Sequence, residues 1–181
     1  QEVICHVKNT GRLGELLLPG ASVWVQEHDN PNRKTRFSLI AVEKDGVCYN
    51  IDSQAPNILA REWLASGKAF PGSRITDIHP EQKYGNSRFD LAFCQDGKRA
   101  FMEVKGVTLN QNGTGLFPDA PTLRGVKHVR ELIECQKEDY EAYVLFVVKF
   151  ETAERFMPNI ARQPEFAAAL LEARNAGVHV M

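Results

Sequence analysis

Apolar and polar positions set the reading of this chain. Up to Ile51 the apolar residues come in short runs, VICHV, ASVWVQEH, RFSLIAVE and GVCYNI, separated by the turn clusters NTG, DNPN and KDG. Runs of this length, rich in β-branched and aromatic residues, predict strands. GRLGELLLPG interrupts them as a short helical turn, and the whole segment predicts a compact barrel or open sheet. From Asp52 the period lengthens. Pro56 suits a first helical turn, Ile58, Leu59 and Trp63 recur at helical spacing, and Gly67 can end the helix. SRITDIHPEQKYG then ends in a loop that delivers Glu81, Lys83 and Tyr84 to the next strand.

That strand begins SRFDLAFCQDGKRAFMEVK, residues 87–105. Phe89, Leu91 and Phe93 alternate with Asp90, Ala92 and Cys94, the period of a strand with one apolar face. Asp96-Gly97 is the pair a two-residue hairpin turn prefers, because both central residues need positive φ. A turn centred there sets Asp90 opposite Glu103 and Arg88 opposite Lys105, all four on one side. VTLNQNGTGLFPDAPTLRG follows as a long, glycine-containing loop beside that hairpin. Thr122 to Lys137 has helical periodicity, with Val126, Val129, Leu132, Ile133 and Gln136 on one face and Arg124, His128 and Glu131 on another. YVLFVVKF, residues 143–150, is nearly unbroken and predicts a buried central strand with a parallel neighbour. Pro164 opens a last helix that Gly177 ends, and VHVM makes a final strand. From residue 54 onward the order is helix, three strands, helix, strand, helix, strand.

Composition narrows this picture only modestly. The 181 residues, 43% hydrophobic and 25% charged, suit one large domain or two small ones with a real core. A net charge of −1 excludes a protein that holds nucleic acid by bulk positive charge, so any such contact is local. The four cysteines are far apart and form no C-x-x-C pair, which argues against zinc and against a disulfide framework, and for thiols in a reducing compartment. No apolar run approaches membrane-spanning length and no signal peptide is evident, so the expectation is a soluble, cytoplasmic chain. It opens at Gln1 and enters a strand-like run at once, so part of the natural N-terminus reads as absent.

The hairpin carries the chemistry. Two carboxylates directly across a ladder stand about 5 Å apart and repel each other. A divalent cation between Asp90 and Glu103 offsets that repulsion, and hard oxygen ligands, the Val104 carbonyl among them, suit Mg2+ or Mn2+. Lys105 would then position a water or stabilise charge on a phosphate. Against this, Arg88 and Lys105 can simply neutralise the two acids on a solvated face. Glu62 is either a rim charge or a third carboxylate reaching the metal from its helix. Arg124 and His128 are candidate phosphate contacts. Arg33, Lys34 and Arg36 lie beside Trp24 and Phe37, with Lys8 and Arg12 near another turn. Cations interleaved with aromatic groups on a small β domain suit backbone-tracking nucleic-acid binding, unless Trp24 is core and the charges merely solubilise a loop.

An acid on the second strand and Glu-x-Lys on the third resemble the PD-(D/E)xK nuclease-like core. CHVKNTGRLGELLLPG, EQKYGNSRFD, EVKGVTL and FPDAPTLRGVKHVREL resemble, in that order, signature segments of the sugar fermentation stimulation protein A family. The resemblance implies an α/β chain, α+β overall. A small OB-like β-barrel over residues 1–53, incomplete at its N-terminus, precedes a restriction-endonuclease-like mixed-sheet domain over residues 54–181. It implies DNA as partner, and a regulatory role in sugar metabolism. Carried over by position, the nuclease-like site falls on Asp90, Glu103 and Lys105, with Glu62 as the helix acid. The expectation is a DNA-binding protein with Lys83, Arg88, Arg124 and His128 near a metal-dependent phosphodiesterase site. Its rival is a DNA-binding regulator that keeps the fold without cleavage.

Overall fold

A computed structural model describes residues 2–9, 11 and 13–181. In chain order its elements are β1 (Cys5–Val7), β2 (Val23–Glu27), β3 (Phe37–Lys44), β4 (Val47–Asn50), α1 (Ala55–Ala65), β5 (Ile75–Tyr84), β6 (Ser87–Gln95) and β7 (Lys98–Val107). They continue with β8 (Leu109–Gln111), β9 (Thr114–Phe117), α2 (Leu123–Lys137), β10 (Glu141–Val148), β11 (Arg155–Pro158), α3 (Pro164–Asn175) and β12 (His179–Val180).

β3 is the spine of the N-terminal sheet. It pairs parallel with β1 and antiparallel with β2 and β4. Leu39, Val42, Tyr49 and Ile51 pack with Leu13 and Leu16 of the helical turn, whose Leu17 N–H bonds the Leu13 carbonyl at 2.8 Å. Every residue of β2 is exposed, Trp24 included, so that tryptophan is not core. Phe150, beyond the end of β10, completes this cluster and bridges to Tyr49.

The larger sheet runs β12-β10-β7-β6-β5. β5, β6 and β7 form an antiparallel meander, whereas β10 lies parallel to both β7 and β12. The buried run of β10 is therefore internal with parallel neighbours, as its unbroken apolar sequence predicts, but it lies next to the short edge strand β12, and the central strand is β7. Its faces are covered differently. α1 packs Ala60 and Leu64 on Leu91, Phe93, Met102, Val104 and Leu145. α2 and α3 cover the other face, with Val129, Leu132, Phe166 and Ala169 against Phe89, Ala92, Phe101 and Val107. Gly125 lets α2 and α3 approach, since a Cβ there would stand 3.3 Å from the Phe166 ring and 2.8 Å from Thr122 Cγ2. Thr122 caps α2 by accepting the Gly125 N–H at 2.9 Å.

Several sequence expectations need correction. The EQKYG segment is not a loop but the end of β5, which reaches Tyr84 before the turn. The long segment after Lys105 folds into the β8–β9 hairpin, and β11 pairs with β9 to complete a small third sheet. In α1 the buried face is Pro56, Ala60 and Leu64, while Ile58 and Leu59 are exposed. The ring of Pro56 and the small side chain of Ala60 allow close packing on the sheet, so the bulkier Ile58 and Leu59 face outward.

Candidate metal and phosphate site

The Asp96–Gly97 turn has the expected backbone, with φ of 52° and 87°. Its ladder runs from Gln95–Lys98 to Leu91–Met102 and stops one residue before Asp90 and Glu103 would pair. β6 also changes phase there. Phe89 and Ala92 share the α2 face, whereas Leu91 and Phe93 face α1. On the other side of β6, Glu81 of β5 has φ of 53°, a kink between the partners of Leu91 and Phe89. Asp90 therefore does not face Glu103 across regular pairs. Its Oδ2 accepts the Val104 N–H at 2.8 Å, the bond a ladder carbonyl would otherwise make, and its Oδ1 accepts from Asn57 Nδ2 of α1 at 2.9 Å.

Glu103 points toward α2 and is buried. Its Oε1 meets Lys105 Nζ at 2.5 Å and His128 Nδ1 at 2.6 Å. Arg124 Nε donates to His128 Nε2 at 3.4 Å, which leaves Nδ1 to donate to Glu103. His128 is thus a buried support for Glu103, a role the sequence does not reveal, and it also lines the groove in which it is a candidate phosphate contact. Glu103 Oε2 is buried without a hydrogen-bond partner among the described residues. Burial pushes the Glu103 carboxyl up, but the His128 hydrogen bond and the Lys105 ammonium outweigh it and hold the group below its ordinary value. Asp90 moves the other way. Burial and then the Glu103 charge raise it, against the Val104 N–H, Lys105 and Asn57.

Two adjacent carboxylates pushed apart in this way, one with an unsatisfied oxygen, fit a hard cation completed by the Val104 carbonyl and water. Mg2+ sites commonly use one or two carboxylates and keep several waters. Among the described residues no group of three or more histidine, cysteine, aspartate or glutamate side chains is placed to hold a metal. Glu62 is exposed. It sits two positions from both Ala60 and Leu64, about 200° round the helix from the buried line. The α1 residue that reaches Asp90 is Asn57.

Arg88 does not meet Lys105. It turns to Glu81 at 3.4 Å and joins Lys83, Arg124 and Lys127 around a groove of about 750 Å³ with His128 at its inner wall. Lys127 was not singled out by the sequence, although it stands one turn from Arg124 and Glu131. The N-terminal cations lie elsewhere. Arg33 bonds Ser38 Oγ and the Thr35 carbonyl, Arg36 pairs with Glu27 and lies over Phe37, and Lys34 is exposed. None of them lines the groove beside α2. Arg12 lies outside the described residues.

A mixed five-stranded sheet with an acid on its second strand and Glu-x-Lys on its third, behind a small β sheet, defines a restriction-endonuclease-like domain preceded by an OB domain. The family description sugar fermentation stimulation protein RE domain matches residues 54–181, and SfsA N-terminal OB domain matches residues 1–51. The chain belongs to the sugar fermentation stimulation protein family. It is 51% identical over 180 residues to the homologue of Clostridium beijerinckii, covering 99% of this chain and 79% of that one. The Ruminiclostridium cellulolyticum homologue is 48% identical over 178 residues, covering 98% and 78%. Among solved structures, Pyrococcus furiosus SfsA in complex with Ca2+ superposes with a TM-score of 0.85 at 28% identity, over 96% of this chain and 74% of that one. No helix among the described residues is long and apolar enough to cross a membrane.

Proposed function

We propose that this protein binds DNA along the groove beside α2 and carries a divalent-metal phosphodiesterase site at Asp90, Glu103 and Lys105. The observation that carries this reading is Glu103. It is a buried carboxylate with one oxygen held by Lys105 and His128, the other oxygen unpartnered, and a second acid beside it. Asp90, Glu103 Oε2 and the Val104 carbonyl would hold Mg2+ or Mn2+, and the Ca2+ complex of the Pyrococcus relative supports a divalent ion. Such an ion supplies Lewis-acid stabilisation of a phosphate and a more acidic water. Lys105 holds a proton-rich ammonium at the same oxygen, and His128 fixes the Glu103 rotamer. Lys83, Arg88, Arg124 and Lys127 supply charge for the phosphates on either side.

A second reading has its own observation. Both Asp90 oxygens are hydrogen-bonded and Glu103 is neutralised from within the chain, so the fold satisfies much of this cluster without an ion. That suits a DNA-binding regulator, linked to sugar metabolism, that keeps the fold without cleavage. Calorimetric titration with Mn2+, Mg2+ and Ca2+, together with incubation of single-stranded, duplex and branched DNA, separates the two. The catalytic reading expects metal uptake and cleavage that both disappear in Asp90→Asn. Salt-sensitive DNA binding with no metal uptake and no cleavage supports the regulator.

A further inference from the structure

Where β10 runs out toward β4 there is a part-open cavity of about 160 Å³, lined by neither carboxylate of the cluster. Its walls include Asn57 and Val104, the two residues that hold Asp90, and Lys149 reaches it from the end of β10. The route of this lysine depends on Gly106. A Cβ at that position would stand 3.3 Å from Lys149 Cε and 3.0 Å from Pro56 Cγ, so any larger residue would crowd the stem. Lys149 Nζ donates to the Asp52 carbonyl at 3.1 Å. The Asp52 carboxylate itself is taken by Lys8, also at 3.1 Å, and among the described residues Lys149 has no carboxylate within ion-pair reach.

An ammonium carries three donors, and a desolvated cation is costly unless an anion accompanies it. Burial accordingly pulls the Lys149 amine down to about 8. Asp119 lines the same cavity, with Oδ1 on the Ala120 N–H. A site with one ammonium and one carboxylate suits an anion that also brings a hydrogen-bond donor. A phosphate monoester does so. Its second pKa near 6 keeps a protonated form available close to neutrality, whereas sulfate and a phosphodiester keep no proton.

We propose that this cavity is a phosphate-monoester site in which Lys149 holds the anion and Asp119 accepts the proton that the anion retains. Its place behind Asp90 makes the phosphorylated end of a nucleic-acid strand the matching source, and that part of the inference rests on the function proposed above.

Inorganic phosphate and sulfate, titrated calorimetrically at fixed ionic strength near pH 6.5, test the site directly. Phosphate should bind at least tenfold more tightly than sulfate, and Lys149→Met should weaken phosphate at least tenfold. Asp119→Asn should erase the preference over sulfate. Thermal unfolding checks that both variants fold. Equal binding of phosphate and sulfate by the parent, or parent-like phosphate binding by Lys149→Met, overturns the proposal. Oligonucleotides with a 5′-phosphate, a 3′-phosphate or neither, tested without metal, identify the source. Preference for one phosphorylated end supports a strand terminus. Equal binding of all three, with phosphate binding retained, overturns that source and leaves a small phosphoester as ligand. Phosphate binding with no oligonucleotide binding removes the nucleic-acid reading and leaves the cavity intact.

Discussion

Glu103 and Asp90 should respond in opposite directions to loss of charge when no metal is present. Glu103→Gln keeps the shape and the Oε1 acceptor but converts two charge-assisted contacts, at 2.5 Å to Lys105 and 2.6 Å to His128, into weaker ones. Hydrogen bonds to charged groups contribute about 1.5–3 kcal/mol and neutral ones about 0.5–1.5, so the His128 contact loses about 1 kcal/mol, while the Lys105 contact keeps its charged donor but loses the ion-pair attraction, about 1 kcal/mol more. Relief of the repulsion on Asp90 returns part of this, leaving about 1–2 kcal/mol. For a chain of this size that is a fall in Tm of about 2–8 °C. Asp90→Asn keeps an acceptor for the Val104 N–H and removes a charge that burial and Glu103 both disfavour, so its Tm should equal or exceed that of the parent. The pH dependence follows the same signs. Asp90 sits above its ordinary value, so the parent gains stability as pH falls through that interval and its gap to Asp90→Asn narrows. Glu103 sits below its ordinary value, so its contribution is present above the unfolded pKa and is lost as pH falls through the folded one. Scanning calorimetry in chelator from pH 4 to 7 measures both. A Glu103→Gln variant as stable as the parent, or an Asp90→Asn variant that loses as much as Glu103→Gln, would refute this account. Ca2+ at a hundred times its Kd should then stabilise only the parent, by about 2.7 kcal/mol.

Other consequences are simpler to measure. Arg88→Ala and Lys127→Ala should weaken duplex binding at every sequence, each lowering the slope of log K against log salt by about 0.9, as read by fluorescence anisotropy. Gly106→Ala should cost about 1–3 kcal/mol in thermal unfolding, because the added carbon meets Pro56 Cγ at 3.0 Å and neither strand nor ring can yield freely. Lys149 binds its proton less readily folded than unfolded. In phosphate-free buffer, parent stability should therefore rise relative to Lys149→Met between about pH 8 and the ordinary lysine value, and a constant difference across that range would contradict the burial described.

Local rules made much of the fold legible. Asp96-Gly97 announces its turn because both residues must adopt positive φ, and the apolar run of β10 announces a strand covered on both faces. The β8–β9 hairpin was hidden in plain view. Asn112-Gly113, with φ of 51° and 78°, is the same kind of turn signal, but the flanking segments are short and depend on β11, some forty residues on, for their pairing. The candidate site was legible in its acids and its lysine, and less so in its surroundings. Asn57 replaces the expected Glu62 because Pro56, Ala60 and Leu64 set the rotation of α1, which spacing of the larger Ile58 and Leu59 mispredicted. For His128, helical periodicity reports the face but not that the face meets Glu103.

Lys149, next to the Phe150 bridge, helps to join the two larger sheets. Lys149 donates its backbone N–H to the Val107 carbonyl at the end of β7, and its own carbonyl accepts the Asn50 N–H at the end of β4, both at 2.9 Å. A shift of the N-terminal sheet would therefore be felt at Val107, two residues from Lys105 on β7. Two backbone hydrogen bonds on one residue thus join the OB domain directly to the sheet that carries the acids.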